Sequence, residues 1–74
     1  MNTTQALNLI AFQNTIEEIV MKINVARSPV KSIAEDAAYF AKQIKGERFA
    51  RSLNAIAACK TRKAMMAVIS GITF

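Results

Sequence analysis

The stretch from Leu9 to Ala26 has the sequence LIAFQNTIEEIVMKINVA, and its apolar pattern decides the fold class. Its main apolar residues follow one another at steps of three or four positions, which places them on one side of an α-helix, whereas a strand would repeat every second residue. A hydroxyl at Thr3 or Thr4 is suited to cap the start. We therefore predict a first helix over residues 4–26, with an apolar seam formed by Leu9, Phe12, Ile16, Ile19, Ile23 and Ala26.

The Ser28-Pro29 pair marks the start of a second helix. Proline is tolerated in the first turn of a helix, and the serine before it is a good N-cap. A capping box at Ser32 offers a rival start, but Val30 already belongs to the next apolar seam. Gly46 follows at a position where helices commonly end with a left-handed residue. We predict a second helix over residues 29–45, with a seam formed by Val30, Ile33, Ala37, Phe40 and Ile44.

A third helix is predicted over residues 47–70, with one irregular position. Lys60 falls on its apolar stripe, where a charged side chain is not expected. In the interpretation that we favour, the helix is continuous to Ser70, and Lys60 extends its stem from the edge of the stripe. In the other, the helix breaks at Thr61, which then caps a short fourth helix. The stripe contains Phe49, Leu53, Ile56 and Ala57 before Lys60, and Ala64, Met65, Val68 and Ile69 after it.

Together these segments predict an all-α protein, a small antiparallel three-helix bundle that forms one domain over residues 1–74. Short connections make successive helices run in opposite directions. The chain has 74 residues, of which 53% are hydrophobic. A monomer of this size does not readily bury so many apolar side chains. Its single cysteine and lack of histidine remove a disulfide and the commonest metal ligand as stabilising devices. We therefore expect a homodimer, and the apolar residues outside the seams are candidates for its interface: Ile10, Val20, Met21, Val25, Met66, Ile72 and Phe74.

Enzymatic activity, a cofactor and a metal are not expected. The chain has no histidine to act as a base for serine or cysteine, and its two glycines are too few for a Gly-rich phosphate loop. Cys59 fits a buried small side chain better than a reactive thiol. Most acids have a basic residue four positions away, which is the spacing of ordinary surface ion pairs on a helix. These pairs are Glu18–Lys22, Lys31–Glu35 and Glu47–Arg51, which leaves Glu17 and Asp36 without such a partner.

Positive charge is concentrated in the second half of the chain. Residues 1–36 contain three basic and four acidic residues, whereas residues 37–74 contain seven basic residues and one acidic residue. On a continuous third helix, Arg51 and Arg62 lie within about 20° of each other. The resulting basic face is predicted to bind nucleic-acid phosphates or an acidic protein surface through Lys42, Lys45, Arg48, Arg51, Lys60, Arg62 and Lys63.

A helix-turn-helix motif around Gly46 is not expected. Lys42 and Ser52 occupy the positions where that motif needs a small buried residue and an aliphatic residue. Any binding of nucleic acid is therefore expected to use the backbone or the shape of the ligand rather than the edges of its bases.

The favoured hypothesis is a small, non-enzymatic regulatory protein of the phage or plasmid type, an analogy of format alone. It would bind nucleic acid or a nucleoprotein complex through the basic face. The alternative is an inhibitor or adaptor that binds a host protein, such as a defence or transcription component, with the same face and an apolar end. A cytoplasmic location is expected, and a membrane span is not, because no apolar run reaches the ~18–20 residues that cross a bilayer. Association with a membrane surface is disfavoured because the chain has no tryptophan and its basic residues stop eleven residues before the end. The apolar end consists of Met65, Met66, Ile69, Ile72 and Phe74.

Overall fold

Four helices make up the regular structure of the described part of the chain. The computed structural model describes residues 2–25 and 27–72, and every regular element within them is helical. The prediction of an all-α protein is therefore confirmed. The helices are α1 (Thr3–Asn24), α2 (Val30–Gln43), α3 (Glu47–Ala57) and α4 (Arg62–Ser70).

The start of α1 is held by a capping box that the sequence prediction missed. The side chain of Asn2 accepts a hydrogen bond from the backbone N–H of Gln5 at 2.8 Å, and the Gln5 side chain accepts one from the Asn2 N–H at 3.1 Å. Two otherwise unpaired backbone donors are satisfied in this way. The predicted cap at Thr3 or Thr4 is therefore wrong, and both threonines lie inside the helix.

The start of α2 is also displaced from the prediction. Pro29 is the N-cap residue with extended backbone angles, and no side chain caps the helix. Proline cannot donate an N–H and holds its φ angle near −65°, so it can lead directly into the helix without a serine cap. The predicted cap at Ser28 is wrong, and α2 ends at Gln43 rather than at residue 45.

One core joins the four helices, and α1 is its longest component. At 1.5 Å per residue, α1 extends for about 33 Å, most of the 38 Å length of the molecule. The predicted seams supply the core, apart from Ala41, which the sequence prediction missed. Several seam residues are only half-buried, namely Leu9, Val30, Phe40, Ile44, Phe49, Ala57, Ala64, Val68 and Ile69, and Ala26 lies outside the described residues. The buried side chains are Phe12, Ile16, Ile19 and Ile23 from α1, Ile33, Ala37 and Ala41 from α2, Leu53 and Ile56 from α3, and Met65 from α4.

The predicted continuous third helix is wrong, because the chain leaves the helix after Ala57 and begins α4 at Arg62. Met65 follows Ile56 by nine residues, so a continuous helix would place them about 180° apart. Both side chains are nevertheless fully buried. The break turns α4 so that Met65 enters the same core. Thr61 caps the new helix by accepting a hydrogen bond from the Ala64 N–H at 3.0 Å, as in the alternative interpretation.

The turn between α2 and α3 depends on Gly46 and on an aromatic contact beside it. Gly46 has a φ of +115°, and a methyl group at its Cα would lie 3.0 Å from the Phe49 ring. That ring stacks on Phe12 of α1 with centroids 4.5 Å apart and an angle of 17° between the planes. The positive φ angle and the close approach of the ring both favour glycine at this position.

Arg62 connects the start of α4 to the end of α1. Its guanidinium donates hydrogen bonds to the carbonyl oxygens of Lys22 at 3.2 Å, Ile23 at 2.5 Å and Ser28. The last carbonyls of a helix lack partners within it, and the five donors of arginine can satisfy several at once. A cation is unfavourable at a helix N-terminus, but here the negative end of the α1 dipole compensates.

Ion pairs form partly as predicted. Glu47 and Arg51 pair across one turn of α3 at 2.7 Å, which confirms that prediction. Lys22, however, pairs with Asp36 of α2 at 2.5 Å rather than with Glu18. The predicted pair Glu18–Lys22 is therefore wrong, because packing brings an acid from another helix closer to the lysine. Lys31 and Glu35 do not form an ion pair in the described residues.

The Gly46→Ala substitution is expected to destabilise the protein by about 1–2 kcal/mol, because alanine disfavours positive φ and its methyl would press on Phe49. Gly71→Ala is the matched control, since Gly71 has a φ of −85° and an added methyl would meet only ordinary contacts. Urea denaturation followed by circular dichroism measures both. Equal midpoints for the two variants would contradict the role assigned to Gly46.

Replacing Arg62 with methionine is expected to lower the free energy of unfolding by about 2–3 kcal/mol, the cost of removing a charged donor from carbonyls that it satisfies. Arg62→Lys should fall in between, because an ammonium cannot reproduce the planar fork. Lys63→Met changes the same charge at an exposed neighbouring position, and a shift below about 0.5 kcal/mol is expected there. Equal decreases in melting temperature for Arg62→Met and Lys63→Met would contradict the role of Arg62 in holding the start of α4 to the end of α1.

Candidate functional site

The break between α3 and α4 divides the predicted basic face into two groups. One group surrounds the α2–α3 turn, and the other follows the end of α3. The length of α3, about 16 Å, separates them. The first group consists of Lys42, Lys45 and Arg48 with Arg51 one turn further along α3, and the second consists of Lys60 and Lys63.

The first group forms what we call the basic corner, defined as Lys42, Lys45 and Arg48. All three side chains are exposed. Lys42 lies in the last turn of α2, where the helix dipole favours a cation. Arg48 lies in the first turn of α3, with its guanidinium carbon 5.5 Å from the centroid of the Phe49 ring. Three cations thus occur within seven residues on both sides of one turn.

Arg51 adds little net charge to the basic corner. Its guanidinium pairs with the carboxylate of Glu47, and both side chains are at least three-quarters exposed. Ion pairs between exposed groups are weak because water competes for both partners. An incoming anion can therefore replace Glu47 at low cost in free energy, and Arg51 can then contact that anion next to the basic corner.

Arg62 does not lie on the predicted face. Its guanidinium is half-buried against the end of α1 and donates to three main-chain carbonyls. The predicted alignment of Arg62 with Arg51 required a continuous helix, and the break removes it. Lys60 and Lys63 remain exposed beside it.

Tyr39 is an exposed aromatic residue that is not among the predicted site residues. It lies on α2 one turn before Lys42, and 60% of its surface is accessible. Its ring contacts Phe40 edge to face, with centroids 5.8 Å apart and an angle of 69°. Residues three apart share a helix face, so the spacing between Tyr39 and Lys42 was the available signal for an aromatic side chain next to the basic corner.

A cleft of about 470 Å³ opens between the first half of α1 and the α2–α3 turn. Two cations of the basic corner and two amide side chains of α1 line it, together with apolar groups. Periodicity could not reveal this cleft, because residues some forty positions apart in the sequence form its two sides. The lining residues are Gln5, Asn8, Leu9, Lys45, Gly46, Arg48 and Phe49.

The predicted apolar end packs mainly within the chain. Met65 is fully buried, so it has no surface to offer a partner. Met66, Ile69 and Ile72 are half-buried and pack against the core. Phe74 lies outside the described residues. The apolar residues after Ala64 therefore pack against the core more than the predicted partner-binding role required.

Other chemistry is sparse in the described part of the chain. Cys59 is half-buried, and its Sγ donates to the carbonyl oxygen of Ala55 at 3.3 Å. Within residues 2–25 and 27–72, no three or more cysteine, aspartate or glutamate side chains lie close enough to hold a metal ion.

None of the helices in the described residues is long and apolar enough to cross a membrane. Comparisons with models of protein families, with curated proteins and with solved structures give no match to this chain. The function is therefore inferred from the chemistry of the surface.

Proposed function

We propose that this protein is a small, non-enzymatic nucleic-acid-binding protein whose basic corner contacts the phosphate backbone. The observation that supports this most is the clustering of three exposed cations around the Gly46 turn. Each cation that neutralises a phosphate releases a condensed counterion, which favours binding at low salt. A regulatory role, of the kind performed by small phage or plasmid proteins, is part of the proposal.

The second basic group extends the proposed contact. Lys60 and Lys63 are exposed about one length of α3 away from the basic corner, a distance of about 16 Å. A polymer with charges at regular intervals can contact both groups at once, whereas a single small anion can occupy only one. Arg62 is left out of the proposed surface because its donors are already engaged by carbonyl oxygens.

Tyr39 favours a single-stranded ligand. An exposed aromatic ring next to cations is the usual platform for an unpaired base, and each such stack contributes about 1–3 kcal/mol. Bases in a duplex are already stacked and cannot use the ring. Lys42 lies one turn from Tyr39 on α2, so one nucleotide can stack its base while an adjacent phosphate meets the lysine.

The alternative, an inhibitor or adaptor that binds a host protein, has less support. It needs the basic face together with the apolar end, yet Met65 has no exposed surface and its apolar neighbours in α4 pack against the core. An acidic protein surface can still contact the basic corner. The experiments below therefore include an acidic polypeptide as a competing ligand.

The protein is expected to bind a labelled single-stranded oligonucleotide with salt-dependent affinity, measured by fluorescence anisotropy. Five phosphate contacts, three in the basic corner and two at Lys60 and Lys63, predict a slope of about −3.5 in a plot of log affinity against log salt concentration. Replacing Lys42, Lys45 and Arg48 together with glutamine should reduce the slope to about −1.4 and the affinity by more than about tenfold at low salt.

The matched control compares single variants. Lys45→Gln lies in the basic corner, whereas Lys31→Gln removes the same charge at the start of α2, on an exposed site well away from the turn. Only the first should weaken binding. The proposal is wrong if the wild type binds neither DNA nor RNA oligonucleotides at low salt. If the wild type binds polyglutamate but no nucleic acid, and the triple variant loses that binding, the partner is an acidic protein.

A second prediction concerns the exposed ring. Tyr39→Ala should weaken binding to a single strand by about 5- to 100-fold, the loss of one base stack, and should leave duplex affinity unchanged. Tyr39→Phe keeps the ring and should bind like the wild type. Equal losses on single-stranded and duplex ligands would contradict the stacking role, while the phosphate contacts could still hold.

A further inference from the structure

Large apolar side chains are exposed at both ends of the outer face of α1, on the side of the helix away from the core. We define this outer face by three exposed residues of α1, whose directions fall within about 60° of one another on the helix, together with exposed Val25, the C-cap residue that follows it. The buried seam of α1, centred near Phe12 and Ile23, points about 180° away. The four residues are Leu7, 61% exposed, Ile10, 51%, Met21, 68%, and Val25, 48%.

The concentration of these residues on one face requires an explanation. Single exposed apolar residues are normal on a protein surface. Among the described residues, however, four of the five large apolar side chains with high exposure belong to this face, and the fifth is Tyr39. A helix with apolar residues on two opposite sides has two packing surfaces. The core covers only one of them.

The charges on the outer face restrict what can cover the other side. Asn14, Glu17 and Glu18 are exposed between the two apolar ends of the face. Two carboxylates disfavour nucleic acid and anionic lipid at this position. A second copy of the chain, by contrast, presents the same apolar ends and an amide that can donate to a carboxylate.

We propose that two copies associate through this face with their α1 helices antiparallel. When the two-fold axis passes near residues 15 and 16, Ile10 lies opposite the partner's Met21, and Leu7 lies near the partner's Val25. At the centre, the Asn14 amide lies opposite the carboxylate of the partner's Glu17. This arrangement is isologous and closed, so it ends at the dimer rather than continuing into a filament.

A parallel pairing of the same helices is disfavoured by charge. It would place Glu17 opposite Glu17 and Glu18 opposite Glu18, with four carboxylates at matched heights. Like charges directly opposed across a contact are destabilising. The antiparallel arrangement staggers them along the axis and gives each Glu17 an amide partner. Both orientations match apolar residues at the two ends, so the charges at the centre decide between them.

The expected dimer is weak, because one helix face per copy makes an interface at the lower end of the size range of specific complexes. We expect dissociation constants of about 1–100 µM. The surface is separate from the basic corner, so this inference does not depend on the proposed binding of nucleic acid. Two basic corners would remain exposed in the dimer.

The first experiment measures mass by light scattering across protein concentrations from about 1 to about 500 µM. The wild type should shift from monomer to dimer over this range. The double variant Ile10→Glu, Met21→Glu should remain monomeric, with an unchanged circular dichroism spectrum because both positions are exposed. Tyr39→Glu is the matched control: it adds a charge at an equally exposed apolar site on α2 and should dimerise like the wild type.

The second experiment tests orientation by disulfide formation in a Cys59→Ser background. An Ile10→Cys variant mixed with a Met21→Cys variant should form a mixed disulfide at least about tenfold faster than either variant forms one with itself, because only the mixed pair meets the required Cα distance. Mild oxidation followed by mass spectrometry distinguishes the three products.

Three outcomes would overturn the inference. A wild-type chain that is monomeric at every concentration rules out self-association. A dimer that persists in the Ile10→Glu, Met21→Glu variant places the interface elsewhere. Preferential Ile10→Cys self-linkage shows a parallel pair. The inference is supported if the wild type dimerises, the double variant stays monomeric and the mixed disulfide forms preferentially.

Discussion

The half-turn offset between Ile56 and Met65 determines the second half of this fold. Both side chains are fully buried, yet nine residues of continuous helix would direct them to opposite sides. The chain resolves the conflict by ending α3 at Ala57 and restarting at Arg62. The break spares Lys60 from burial on the apolar stripe and gives Thr61 a capping role. Most of what distinguishes the observed structure from a plain three-helix arrangement follows from this offset.

The same break decides which cations are available to a ligand. It brings Arg62 to the end of α1, where carbonyl oxygens take up its donors. The remaining cations of the predicted face separate into the basic corner, with Arg51 next to it, and the pair Lys60 and Lys63. In the sequence, Arg62 is indistinguishable from its neighbours, because a count of charges does not show which of them face main-chain acceptors. Structure therefore reduces the candidate surface and makes it more specific.

Local patterns predicted α1, α2 and most of the core, whereas the predicted third helix is two helices in the structure. The seam of Phe12, Ile16, Ile19 and Ile23 repeats at three and four residues, and all four are buried. Features that depend on residues distant in sequence were missed, because periodicity contains no information about them. The ion pair between Lys22 and Asp36 and the cleft beside the basic corner are of this kind. The half-turn between Ile56 and Met65 is visible in the sequence, yet the predicted stripe contained both residues. The prediction of apolar residues outside the seams included Ile10, Met21 and Val25 of the outer face of α1 but not Leu7.

Arg62 also has a consequence for how the chain folds. Its acceptors lie 34 to 40 residues earlier in the sequence, so forming these bonds closes a loop that contains all of α2 and α3. Closing such a loop costs entropy before any of the bonds is gained. The contact is therefore expected to form after the folding barrier is crossed. Interactions formed that late slow unfolding and leave the folding rate nearly unchanged, which makes Arg62 a determinant of how long the folded molecule lasts rather than how quickly it appears.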